Sequence, residues 1–214
     1  MLEHVHIFAG LSREELETLE RHVVVRSFPK NVVVLMEGDR SDALYLILEG
    51  RAKVYLTDEG GQEIIVNTKE AGDYFGELAI LGDAPRAASV MTLEPSKFAI
   101  VPATDFKACL KRQPDLAMGV IQAMATHIRR LTEDVRDLAL LDVYQRVSRL
   151  LLKFAIEQDG KRVVTERLSN QDIANRTGAS REMVGRVMKE LAVGGYLTLT
   201  DKTITIEKKL PTGW

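Results

Sequence analysis

Two constellations in this chain of 214 residues have residue types and spacings suited to chemistry. The first lies in GDYFGELAILGDAPRAASV, residues 72–90. Gly76-Glu77-Leu78 follows a strand-like run and opens a short helical one. Main-chain N–H groups there point at whatever occupies the enclosed pocket, and glycine nests and helix starts of this kind favour anions. Arg86 stands ten residues beyond Gly76, far enough for the chain to return and set a guanidinium on a phosphodiester. Glu77 beside a phosphate needs a donor of its own. A ribose 2′-hydroxyl is one and Arg86 is another, so an internal Glu77–Arg86 ion pair with no ligand is the second arrangement these residues allow.

The other constellation is LSNQDIANRTGASREMVGRVMKEL, which reads as helix, tight turn, helix. Ser169 with Asp172 makes the capping signature of the first helix, Gly178 supplies the turn, and Ser180 caps the second helix. Val184, Val187, Met188 and Leu191 suit the inner face of that second helix. Arg181, Glu182, Gly185, Arg186 and Lys189 share its outer face, grouped toward the N-terminus. A major-groove reader requires this layout: arginine bonds guanine O6/N7 in bidentate fashion, and glutamate accepts from cytosine N4. Gly185 lets the backbone approach the duplex closely. YLTLT-DK-TITIE then reads as strand, turn and strand with Asp201-Lys202 at its tip, the pattern of a wing. An αα-hairpin with a charged solvent face shares the helical spacing; the wing and the local charge favour nucleic acid.

The elements that must carry these groups fall into three regimes. Residues 3–25 are expected to be helical, with a capping box at Ser12 and Glu15 and an apolar face beginning at Leu16 and Leu19. Residues 26 to about 100 read as short strands broken by glycine turns, the mark of a β-sandwich or barrel. After Pro114 the pattern turns helical: Ala117, Ile121, Met124, Ile128, Leu131, Val135 and Leu138 alternate spacings of four and three. That heptad seam predicts a parallel coiled-coil dimer, with a long helix lying across the sandwich as the alternative. Asp142 is placed to cap a further helix over residues 143–156. The predicted class is α+β, with domains at 1–113, 114–141 and 142–214 and a hinge at 139–142.

Composition bounds the function. With 45% hydrophobic and 28% charged residues the chain is of ordinary globular make-up rather than disordered. The net charge is −2, yet residues 142–214 hold 13 Lys+Arg against 9 Asp+Glu, while residues 1–141 hold 16 against 22. This asymmetry favours a nucleic-acid-binding C-terminal module. Apolar runs such as residues 32–36 and 138–141 are too short to cross a bilayer, so no membrane partner is expected. The opening MLEHVHIFAGLSREELETLE does not read as a secretory signal, and a reducing cytoplasm is the expected setting. The single Cys109 excludes an intramolecular disulfide and any all-cysteine metal cluster within one chain, and reads as a buried helix residue. His4 and His6 lack further ligands nearby, and His127 reads as a residue flanking the seam. No HExxH, Walker loop or nucleophile elbow occurs, so neither a metal site nor an enzyme is expected.

FGELAILGDAPRAA resembles the phosphate-binding cassette of cyclic-nucleotide-binding domains. REMVGR resembles the recognition-helix motif of the cyclic-AMP receptor group within the Crp/Fnr family of bacterial transcription regulators. The resemblance runs from HIFAGLSREEL through the LLDV hinge to the wing. It implies a jelly-roll cyclic-nucleotide-binding sandwich, a dimerisation helix with its seam at Ile121, Met124, Ile128, Leu131, Val135 and Leu138, and a winged helix-turn-helix. It further implies that Gly76 and the N–H groups of Glu77 and Ala87 hold a cyclic phosphate, that Arg86 neutralises it, and that Glu77 takes the ribose 2′-hydroxyl. Arg181, Glu182 and Arg186 stand where the group reads TGTGA-type half-sites of double-stranded DNA. Two positions depart from the pattern. Ala87 replaces a phosphate-bonding serine, and the adenine-contacting Thr-Ser pair falls on Leu131-Thr132, of which Thr132 flanks the seam and can reach a purine. The implied effector is cyclic AMP, with another nucleotide such as cyclic di-GMP, or none, left open. A nucleotide-binding module with a protein partner and a constitutive DNA-binding protein are the other classes. RNA polymerase is an implied partner, with the expected loop at residues 157–162 as a candidate surface.

Overall fold

The computed structural model describes residues 2–8, 11–40, 42–166, 168–200 and 203–211, and the side chains of His4 and His6 also stand outside the description. The expected wing tip, Asp201-Lys202, and the paired histidines therefore lie outside the described residues. The chain divides into two compact units, residues 1–58 with 65–128 and residues 59–64 with 129–214.

The first unit opens with two 3-10 turns, Leu2–His4 and His6–Phe8, followed by helix α1, Arg13–Glu20. Ser12 and Glu15 form the reciprocal capping box expected of them. The expectation of helix over 3–25 needs correcting. Strand β1, Val24–Phe28, starts inside that range, and its β-branched valines pair antiparallel with residues 96–100, Val24 opposite Ile100. Strands β2 (Val33–Leu35), β3 (Ala43–Glu49), β4 (Arg51–Thr57), β5 (Glu63–Glu70) and β6 (Tyr74–Phe75) follow, then the short helix α2 (Glu77–Gly82), β7 (Ser89–Thr92) and β8 (Ser96–Pro102). They build two four-stranded sheets of order β1-β8-β3-β6 and β2-β7-β4-β5. Leu35, Ile47, Ala52, Phe75, Val90 and Phe98 form one core cluster drawn from both sheets. The opposite side of β3 and β8 packs against the 3-10 turns, α3 (Ala103–Arg112) and the start of α4 (Pro114–Leu140), burying Phe8, Phe106, Cys109, Leu116 and Val120.

The second unit takes over along α4, whose last carbonyls are held by a side chain. Arg146 donates from Nη1 to the oxygens of Leu138 and Leu141 at 3.3 and 3.0 Å, satisfying acceptors that a helix end otherwise leaves to water. Arg149 pairs with Asp137 in the same region. Asp142 then caps α5, Val143–Phe154, in a box with Gln145. That helix stops two residues short of the expected 156. The loop expected at 157–162 is corrected to a hairpin of β9 (Ala155–Gln158) and β10 (Lys161–Val164). Asp159 and Gly160 form its turn with φ of 51° and 74°, the left-handed pair that a tight type I′ hairpin requires. Helices α6 (Asn170–Thr177) and α7 (Arg181–Val193) follow, then β11 (Leu197–Leu199) and β12 (Ile204–Ile206). The strands join in one sheet of order β11-β12-β10-β9, so the expected wing is the pair β11–β12 on a broader base. Tyr144, Val147, Leu151, Ile173, Val184, Val187 and Leu191 lie at the centre of its core.

Candidate functional site

The glycine-arginine constellation is built on the end of one strand pair. Tyr45 of β3 lies directly opposite Phe75 of β6, and the next residue, Gly76, turns the chain with φ 92° into α2. That φ favours glycine, and a Cβ on Gly76 would also press on Nη1 of Arg86, so a substitution there would displace the guanidinium. The chain returns through Asp83, and Arg86 is fixed at its backbone, its N–H donating to Asp39 O at 2.8 Å and its carbonyl accepting from Gly38 N at 2.9 Å.

The Arg86 side chain is turned inward and is only 4% exposed. Its Nη1 donates to Gly76 O at 2.9 Å and its Nη2 to Ala43 O at 2.8 Å. Among the described residues its Nε, though buried, has no hydrogen-bond partner. Burial pulls the guanidinium below its usual pKa, opposed by Tyr45, Asp42, Glu77 and Asp39, and an arginine stays cationic under any such shift. Glu77 is half-buried at the first position of α2. Burial pushes its carboxyl up, while its own backbone hydrogen bond, Lys69 and Arg86 pull it down. Among the described residues no direct Glu77–Arg86 ion pair forms, so the arrangement that joined the two without a ligand is not the one adopted. A buried cation whose Nε is unspent, beside a left-handed glycine turn, is suited to an anionic oxygen. Tyr74, next to this turn, is pushed up to about 12, chiefly by burial, and stays protonated.

Of the residues expected here, Gly76, Glu77 and Arg86 come together, while Leu78 and Ala87 are exposed at the edges of the same turn. Thr132 lies in the second unit, exposed on α4 beside the 37% exposed Leu131. The seam residues Ile121, Ile128, Leu131, Val135 and Leu138 all stay exposed on the single chain, Val135 to 64%. Met124 departs from that expectation: it is half-buried against the core of the first unit. The carbonyl of Ala43 and the Tyr45 ring were missed from sequence. The one signal available was an aromatic at an alternating position of the otherwise apolar strand ALYLIL.

In the second unit α6 begins at a Ser169–Asp172 capping box and ends at Gly178, with φ 61°. Ser180 then caps α7, its hydroxyl accepting from Met183 N at 3.2 Å. Val184, Val187, Met188 and Leu191 are buried, as their spacing predicts. Arg181, Glu182, Arg186 and Lys189 are exposed and Gly185 is half-buried. Among the described residues those four charges are in no ion pair, so they are available to an external ligand. A Cβ on Gly185 would meet only Asn170 Nδ2, at 3.5 Å, so internal packing does not require glycine there.

Residues 25–113 match the cyclic nucleotide-binding domain, and residues 145–209 match the Crp-like helix-turn-helix domain. The chain is 28% identical over 210 residues to the CRP-like cAMP-activated global transcriptional regulator of Mycobacterium tuberculosis, covering 96% of this chain and 94% of that protein. It is 29% identical over 198 residues to the cAMP-activated global transcriptional regulator CRP of Salmonella typhimurium, covering 89% and 93%. Among solved structures, the c-di-GMP responsive global regulator CLP of Xanthomonas campestris superposes with a TM-score of 0.80 at 22% identity, over 92% of this chain and all of that one. No helix among the described residues is long and apolar enough to cross a membrane.

Proposed function

This chain belongs to the Crp/Fnr family of DNA-binding transcription regulators, and from that premise we propose that it is a homodimeric, cytoplasmic regulator gated by cyclic AMP. The observation that carries the reading is Arg86, a buried guanidinium with an unpaired Nε behind a glycine turn. A cyclic mononucleotide supplies one anionic phosphodiester, a ribose hydroxyl and a purine. Arg86 and the N–H groups at Glu77 and Ala87 hold the phosphate; Glu77 accepts from the hydroxyl. Leu131-Thr132 takes the place of the family's base-contacting pair, and Thr132 is the residue suited to bond a purine.

The exposed apolar stripe from Ile121 to Leu138 supports dimerisation, since a row of this kind on a charged helix gains stability by pairing with a second copy. Two recognition helices then address half-sites about one DNA turn apart. Arg181, Glu182 and Arg186 read TGTGA-like inverted repeats, while Ser180 and Lys189 bond phosphates. For a useful switch, cyclic AMP must favour the DNA-competent state by several kcal/mol. RNA polymerase is the downstream partner, with the β9–β10 hairpin as the candidate contact.

Gel-shift binding to an inverted repeat of TGTGA half-sites, against scrambled DNA at fixed salt, tests the whole reading. Specific binding only with cyclic AMP is the expected result. Specific binding without ligand identifies a constitutive DNA-binding protein, and a response to cyclic di-GMP alone transfers the pocket to a dinucleotide. Absence of salt-dependent DNA binding leaves a nucleotide-binding module with a protein partner.

A further inference from the structure

The two carbonyls that hold Arg86 flank a strand pair that carries one stacked pair of rings. Ala43 precedes Tyr45 by two residues on β3, and Gly76 follows Phe75 on β6. Tyr45 and Phe75 face each other across that strand pair with centroids 5.2 Å apart and planes 9° from parallel. Phe75 in turn meets Phe98 edge-on at 5.4 Å, which anchors the stack in the core between the sheets. Cζ of Arg86 lies over the Tyr45 ring, 5.7 Å from its centroid and within range of a cation–π contact. A guanidinium bonded to two carbonyls can still rock about the line joining them, and attraction to a ring face narrows that freedom.

We propose that Tyr45 is a positioning residue of the nucleotide pocket, whose ring holds the Arg86 guanidinium so that its unpaired Nε is presented to the phosphate. The inference rests on the reading that Arg86 binds a cyclic nucleotide, but the positioning itself is a property of the free protein. Methionine, a long unbranched apolar side chain, occupies part of the same half-buried position without offering a π face.

Cyclic AMP affinity of the full chain is measured by titration calorimetry for the parent, Tyr45→Phe and Tyr45→Met, each first shown to unfold cooperatively. Tyr45→Phe should bind within about twofold of the parent and Tyr45→Met about tenfold more weakly. A double-mutant cycle separates positioning from packing. In an Arg86→Lys background, whose ammonium has no plane to orient, Tyr45→Met should cost less than about twofold. Equal losses in both backgrounds, or a Tyr45→Phe variant as weak as Tyr45→Met, overturn the role of the ring. Side-chain NMR of the Arg86 Nε–H group without ligand supplies the independent arm, with its order falling in Tyr45→Met and kept in Tyr45→Phe. If the parent gives no heat with cyclic AMP, the nucleotide reading fails and this arm alone decides: unchanged order in Tyr45→Met overturns the inference.

Discussion

The cassette and the recognition helix present their arginines in opposite ways. Arg86 is buried, bonded to two carbonyls and backed by an aromatic ring, whereas Arg181 and Arg186 stand in solvent on a helix whose other face is buried. The difference follows from the ligands each is suited to meet. A small anion supplies too few contacts to order a long side chain as it binds, so the ordering is built into the fold. A DNA duplex presents a wide, strongly charged surface, and exposed arginines gain there from long-range attraction and from freedom to settle on a base edge.

The largest expected effect tests the buried side of this contrast. Arg86→Ala should weaken cyclic nucleotide binding about 100-fold or more by calorimetry, because it removes a desolvated charge from its partner, while the chain remains folded. Unchanged affinity would remove Arg86 from the pocket. Leu191→Ala, at a fully buried position behind the recognition helix, should lower stability by about 2–5 kcal/mol in urea unfolding. A change of a few tenths would mean that the exposed charges are not carried on a packed scaffold. Arg181→Ala and Arg186→Ala should each weaken cognate DNA binding by about 1–3 kcal/mol and relax discrimination at one base pair. Their unfolding midpoints should hold to within about 0.5 kcal/mol of the parent. Equal losses on random DNA would assign them to phosphates instead.

The smallest effect concerns Glu77. Burial raises its folded-state pKa above the unfolded value, so between the two the native chain holds more proton than the unfolded one, and stability falls as pH rises through that window. Its contribution is complete below the unfolded value and lost above the folded one. Glu77→Gln should remove that part of the slope, read as a flatter midpoint-against-pH curve above the ordinary carboxyl range. Parallel curves would mean that the carboxyl is not desolvated in solution.

Local chemistry was legible from the residues; long-range closure was not. The capping boxes at Ser12 and Ser169, the cap at Asp142, the turn at Gly178 and the two faces of α7 depend on residues within a few positions of one another, and the structure has each of them. The strand that begins at Val24 depends on a partner, Ile100, in the distant β8, which outweighs the helical start before it. Asp159-Gly160 carried a readable hairpin signal, but its flanks, Glu157-Gln158 and Lys161-Arg162, are polar and look like loop. The heptad spacing located the stripe on α4 without showing that Met124 turns to its own core. Arg86 was found by its spacing from Gly76, whereas its second acceptor, Ala43 O, lies 43 residues away on a strand with no local mark of that duty.

The near-complete covering of Arg86 also has a consequence in time. A nucleotide arriving by diffusion meets the rim of the turn, at exposed Leu78 and Ala87, before it can meet the guanidinium. Association is then expected in two stages, a loose encounter at that rim followed by a local rearrangement that brings the phosphate to the guanidinium. In stopped-flow mixing the observed rate should rise with cyclic AMP concentration and level off at the rate of that rearrangement. The same barrier acts on departure, so the lifetime of the bound state should outlast what the number of contacts alone would allow.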